Sequence, residues 1–249
     1  MMTSYGAERA KIDQGVEMAK RAVKARSKER IPDDLDHVGK RTIVGIRGAT
    51  QRGTATRARI LRTAIALLGA RGSAATNTQL VSDMSGVARG SILHQFPTRL
   101  DLMAGVFEYG TQEMLGHLRK QIARYPAPRD RLGALFNILW EVSNSEAGLA
   151  VSEIQDAAHW DEDLGRIINP LTSTFLPRIF SELAEVASQA GISKPEALMP
   201  SLALMLAAMR GIVIGSRFKG TEELYSSALE QQQAFWGLVI QKYYNDSKI

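Results

Sequence analysis

Residues 76–99 read TNTQLVSDMSGVARGSILHQFPTR, two short apolar groups on either side of a Gly-Val pair, closed by a proline. Thr76 and Asn77 are good N-cap residues, and the helix they open carries Leu80, Val81 and Met84 toward one side before Gly86 breaks it. Val87 packs in the turn. A following helix, Ala88 to Gln95, directs Ile92 and Phe96 inward until Pro97 ends the pattern. The turn allows the crossing of about 90–120° typical of helix-turn-helix units. A helix of seven or eight residues is about 11 Å long, close to the roughly 12 Å width of a DNA major groove. With Leu80, Val81, Met84, Val87, Ile92 and Phe96 given to a core, Arg89, Ser91, Leu93, His94 and Gln95 remain for the outside. Arg89 and Ser91 then stand nearest base edges, where Arg can pair with guanine O6 and N7. Asn77, Thr78 and Gln79 can offer side chains and unpaired amides to phosphate, with His94 and Arg99 as further phosphate contacts. Two ordinary bundle helices with polar outer faces would carry the same short pattern.

Upstream, Ile60, Leu61, Ala64, Ile65, Leu67 and Leu68 make a broad helical stripe that runs from about Thr54 to a natural C-cap at Gly72. Before it the periodicity fails. Pro32, Gly39, Gly45, Gly48 and Gly53 punctuate residues 31–56, which read as an extended basic arm behind a thin polar helix over 5–30. Residues 1–99 hold eighteen Lys/Arg against eight Asp/Glu, or +10, and residues 100–249 hold thirteen against eighteen, or −5, together the net +5 of the chain. From His37 to Ser82 there are Lys40, Arg41, Arg47, Arg52, Arg57, Arg59, Arg62 and Arg71 without one acidic residue. A one-signed segment of this kind attracts polyanions, although a solvated tail with no partner has the same composition.

Beyond Arg99 the pattern is helical throughout. Leu102 to Ile122, Leu132 to Val142 and Leu149 to Trp160 mark successive helices, followed by an acidic break at Asp161, Glu162 and Asp163 and a segment punctuated by Pro170 and Pro177. Two long helices, 195–217 and 221–244, close the chain. No stretch alternates as a strand would, so the fold is expected to be all-α. A three-helix DNA-binding domain over 54–114, with its DNA-binding helices at about 77–96, would follow a basic extension over 1–53 and precede a larger helical domain over 115–249. The 249 residues contain no cysteine, which excludes disulfides and thiolate chemistry. The richest apolar run, Leu202 to Val213, is interrupted by Arg210 and falls short of the roughly 18–20 residues that span a bilayer. No apolar signal core opens the sequence, and the expectation is a cytoplasmic protein without a membrane partner.

Taken together, Arg57-Ala-Arg-Ile-Leu, Gly72, Thr76-Asn77 and GVARGSILHQFPTRLDLM over 86–103 resemble the N-terminal domain of tetracycline-repressor-type (TetR family) regulators, over roughly Thr54 to Thr111. The resemblance implies a homodimeric repressor. Its DNA-reading heads would sit on a helical body whose last two helices form a four-helix bundle with the partner, and the body would enclose a small-molecule pocket. It also implies Asn77 as N-cap and phosphate contact, Arg89, Gly90 and Ser91 at the start of the recognition helix, His94 near the DNA backbone and Arg99 at phosphate. Leu93 departs from the family, which usually has a phosphate-touching tyrosine there. Arg47, Arg52 and Arg57 are expected to return part of that backbone affinity, with the arm following the minor groove.

In the body, Phe107, Phe136, Trp140, Ile154, Trp160, Phe175, Met205 and Met209 could line an apolar cavity, or simply be core. Arg210, in a markedly apolar helix, needs a partner or water: an acidic effector or a structural ion pair. Leu202, Leu206 and Ile214, with Trp236, Leu238, Val239 and Tyr243, fit an intersubunit bundle, and an intramolecular core would look the same. His159, Asp161 and Asp163 match no strong metal-ligand spacing, and no phosphate-cradling glycine loop, nucleophile elbow or HExxH is present. The expectation is therefore a ligand-responsive DNA-binding homodimer on a (pseudo)palindromic site, with no cofactor, metal or catalysis. An architectural nucleic-acid binder that relies on its basic arm, without an effector, is the alternative.

Overall fold

A computed structural model describes residues 51–246 of the chain. Among the described residues the elements are nine α-helices and one 3-10 turn: α1 Gln51–Ala75, α2 Thr78–Ser85, α3 Arg89–Gln95, α4 Arg99–Ile122, α5 Pro128–Ser143, α6 Glu146–Trp160, α7 Glu162–Gln189, the turn Pro195–Leu198, α8 Met199–Gly215 and α9 Glu222–Asp246. No strand is found among them, in line with the all-α expectation. The extension over 1–50, Arg47 included, lies outside the described residues.

Local chemistry sets most helix ends. Gly72 interrupts α1 with φ 76 and ψ 173, a conformation that glycine adopts without a Cβ penalty. Thr98 and Asp101 form a reciprocal capping box at the start of α4, with the Asp101 amide donating to the Thr98 hydroxyl at 3.1 Å and the Thr98 amide to the Asp101 carboxylate at 3.0 Å. Ser145 caps α6, and Asp161, which ends α6, caps α7 by accepting the Leu164 amide at 3.0 Å. Pro170 and Pro177 lie inside α7 rather than ending it. Each leaves one carbonyl without its helical donor, and buried neighbours on both sides of each proline, Ile168, Phe175 and Ile179, keep the helix continuous.

Two apolar clusters organise the molecule. The lower one joins α1 (Ile60, Leu61, Ile65, Leu68), Val81, Val87, Ile92 and Phe96 to the first half of α4, and is completed by Val151 and Ile154 of α6 and Leu164 and Ile168 of α7. The upper one joins Leu115 and Leu118 of α4 to α5, the later part of α7, α8 and α9. α4 runs unbroken through residue 114, where a domain boundary was expected, and belongs to both clusters.

Four expectations are corrected by the structure. Met84 is 59% exposed, because the two-turn α2 buries Val81 fully and the space near its end is filled by Val87. Trp160, placed among the cavity residues, is 86% exposed at the end of α6. Leu202, Trp236 and Val239 lie in the upper cluster of their own chain, so they are not available to a partner; the Trp236 indole donates to the Leu132 carbonyl at 3.2 Å. The segment Pro195–Gly215 is, by length and composition alone, long and apolar enough to cross a membrane, since Arg210 falls near its end and interrupts too little of it. Its helix buries Leu202, Met205 and Met209 on one side and leaves Leu204 and Ile214 exposed on the other.

Candidate nucleic-acid interface

The turn between α2 and α3 is built by four groups. Gly86 holds φ 64 and ψ 19, and its amide donates to the Ser82 carbonyl at 3.0 Å. The Ser82 hydroxyl donates to the Val87 carbonyl at 2.8 Å, and the Val87 amide donates to the Ser85 hydroxyl at 3.2 Å. Val87, Ile92 and Phe96 are thereby buried, and rotation about α3 leaves Arg89, Gly90, Ser91, Leu93 and His94 in solvent. Gln95 is half-buried.

At the start of α2, Asn77 has extended backbone, and its side-chain oxygen accepts the Leu80 amide at 2.9 Å, which leaves its amide hydrogens in solvent. Thr78 is half-buried. Gln79 donates to Asp83 at 2.8 Å, one turn along the same helix. Arg99, expected at phosphate, donates to the Ser73 carbonyl at 2.8 Å, and Thr76 donates to the Gly72 carbonyl at 2.9 Å. These two bonds tie the first turn of α4 and the residue before the α2 cap to the end of α1. Arg99 retains further guanidinium hydrogens, being half-buried rather than enclosed.

Arg57 departs from its expected place. Its guanidinium lies 4.3 Å from the centroid of the Phe96 ring, and burial pulls its pKa down while the nearby Glu108 carboxylate pushes it back up. Glu108, on α4, is pushed above the usual carboxylate range by burial, against the opposing pull of Arg57. The side chain thus turns inward, and the sequence, which places it in an all-cationic run, gives no sign of this. The Arg52 side chain lies outside the described residues. Asp83 is the acidic residue that α2 contributes to this surface, and Arg62 pairs across to Glu113 on α4 at 3.8 Å.

In the body, the expected cavity residues divide between the clusters: Phe107 and Ile154 in the lower, Phe136, Phe175, Met205 and Met209 in the upper, with Trp140 packed against the upper. Phe107 and Phe175 meet edge to face, with centroids 6.4 Å apart. Arg210 finds its partner in α6: it pairs with Asp156 and lies 3.4 Å from both the Gln155 side-chain oxygen and the Ser152 carbonyl. Arg217 reaches Glu153 of the same helix at 3.4 Å. Sequence reasoning missed these two acceptors, although their spacing of three along a helix puts both carboxylates on one face. His159 stacks edge to face on Trp160 at 4.8 Å, and among the described residues no group of three His, Asp or Glu side chains could hold a metal ion.

A capped two-turn helix, an αL glycine and a second short helix with a polar outer row, braced on a long α4, define a helix-turn-helix DNA-binding domain set on a helical body. Residues 60–106 match the family of bacterial regulatory proteins, tetR family. HTH-type transcriptional regulators of Mycobacterium tuberculosis and Mycobacterium bovis are each 28% identical over 156 residues, covering 63% of this chain and 79% of theirs. The fold is shared with a TetR-family transcriptional regulator from Rhodococcus sp. (TM-score 0.58, 20% identity, 75% of this chain and 99% of that one). It is also shared with a transcriptional regulator from Saccharomonospora viridis solved in complex with choline (TM-score 0.58, 14% identity, 76% of this chain and 96% of that one). Over residues 60–106 the chain thus matches the DNA-binding segment of the tetR family, and its fold is that of solved transcriptional regulators.

Proposed function

We propose that the protein is a cytoplasmic homodimer that represses transcription from a (pseudo)palindromic operator and is released by a small molecule bound in its body. The outward row Arg89, Ser91, Leu93 and His94 on α3 carries this reading, because it presents base-reading and backbone-reading groups on a helix held by three buried residues. Arg89 pairs with a guanine, Asn77 and Thr78 serve phosphate, and Arg47 and Arg52 extend the contact through the arm. Residues 54–114 act as the head and 115–249 as the body.

Dimerisation is supported by the apolar side chains that α8, α9 and the turn between them leave in solvent: Leu204, Ile214, Phe218, Leu224, Phe235 and Leu238. Leu206 and Tyr243, half-buried, flank that face. An effector acts by binding one head spacing better than another, since the two half-sites lie about 34–36 Å apart and a ligand without such preference shifts nothing. Catalysis has no place in this mechanism.

Selection of bound DNA from a random pool by the purified full-length protein tests the reading. A two-fold symmetric consensus bound by two protomers is the expected result. Binding without a consensus, at an affinity that disappears when residues 1–52 are deleted, would establish the architectural alternative instead.

A further inference from the structure

Phe96 is the residue that ends α3: its amide donates to the Ile92 carbonyl at 2.7 Å and its ring is 1% exposed. Two elements converge on that ring. From α1, the Arg57 guanidinium covers its face at 4.3 Å. From α4, Gly105 passes so close that a Cβ there would lie 2.6 Å from Phe96 Cε1 and 3.4 Å from Leu61 Cδ2. Glu108, three residues further along α4, supplies the charge that faces Arg57. A guanidinium removed from water and laid on an aromatic face is held more strongly there than an exposed one, and its field toward solvent is reduced by the neighbouring carboxylate.

We infer that Arg57 is a positioning residue for DNA recognition: it clamps Phe96 against Gly105 of α4 and so fixes how α3 presents Arg89 and Ser91, rather than touching phosphate itself. The inference rests on α3 being the DNA-reading helix. It gives α4, shared by both apolar clusters, a direct hold on the end of that helix.

Two variants of the full chain test it, Arg57→Gln and Gly105→Ala. With the DNA selected by the wild-type protein, each is expected to lower affinity about tenfold while leaving the slope of log K against log salt, and the affinity for random DNA, unchanged. Gly105→Ala alters no charge and crowds the ring from α4. A slope shallower by about 0.9 for each phosphate that is no longer neutralised, with equal weakening on random DNA, would overturn the clamp for Arg57. A readout that needs no DNA runs beside this: amide hydrogen exchange at Ile92 and Phe96 in the free protein is expected to quicken about tenfold in Arg57→Gln, with α5 amides unchanged. Unchanged exchange at Phe96 rejects the clamp, whereas a wild-type protein that selects no DNA rejects the DNA reading and leaves the exchange result to decide the clamp.

Discussion

Arg89 and Glu108 show how differently two charged residues of one small domain behave. Arg89 is exposed on α3, free to meet a base edge. Arg89→Ala is expected to cost about 1–3 kcal/mol per half-site and to relax preference at one base pair, as read by competition between the selected operator and single-base variants. Glu108 is held partly out of water, and burial outweighs the attraction of Arg57 in setting its proton affinity. Its folded form therefore holds a proton to higher pH than the unfolded chain does. The folded state binds more protons across the interval above the ordinary carboxylate range, so this group's contribution to stability falls as pH rises through that interval. Glu108→Gln is expected to melt above the wild type at neutral pH, with the difference closing below about pH 4, where both forms are uncharged. A lower melting temperature for the variant at pH 7 would mean that the Arg57 attraction outweighs the desolvation.

Among the elements, α2 is short enough for its cap to matter. Eight residues bury one side chain fully, and the Asn77 cap satisfies an amide that the helix itself cannot. Asn77→Ala is expected to lose about 1 kcal/mol of stability in urea unfolding, and to lose operator affinity beyond that because α2 frames α3. The Asn77 cap and the glycines at 72 and 86 were legible from sequence because they are local, acting through bonds or backbone angles within a few residues of themselves. The continuity of α7 through two prolines was not legible. The cost of each proline is local, but the packing that outweighs it, through Ile168, Phe175 and Ile179, comes from distant helices.

For the whole molecule, the central connection runs through α6. It completes the lower cluster with Val151 and Ile154, and its carboxylates Asp156 and Glu153 hold Arg210 and Arg217 near the end of α8. Glu153 also lies against the Gly72 break in α1, where a Cβ would meet its carboxylate at 3.5 Å. α6 thus touches α1 at its break and, through two arginines, the end of α8 and the turn after it. Pairing with a second copy is testable on residues that belong to no internal core. Leu238 is 64% exposed, so Leu238→Glu is expected to leave melting of the protomer nearly unchanged while shifting sedimentation from dimer to monomer and abolishing binding to the full operator. A variant that remains dimeric places the interface elsewhere.

The sequence by itself determined most of the helices, though not the continuity of α7, together with the turn at Gly86 and the outward row on α3, since a 3.6-residue period and short-range caps fix which side of a helix is apolar. It did not determine what each apolar side meets. Leu202, Trp236 and Val239 proved to be internal while Leu238, one position from Val239, faces solvent, and Trp160 proved to be exposed. Arg57 shows the same limit for charge: a cation in a basic run is placed by the ring and carboxylate that the fold brings to it. Periodicity is a property of one helix, whereas burial, pairing and charge environment belong to pairs of helices far apart in the chain, and only the tertiary structure chooses those pairs.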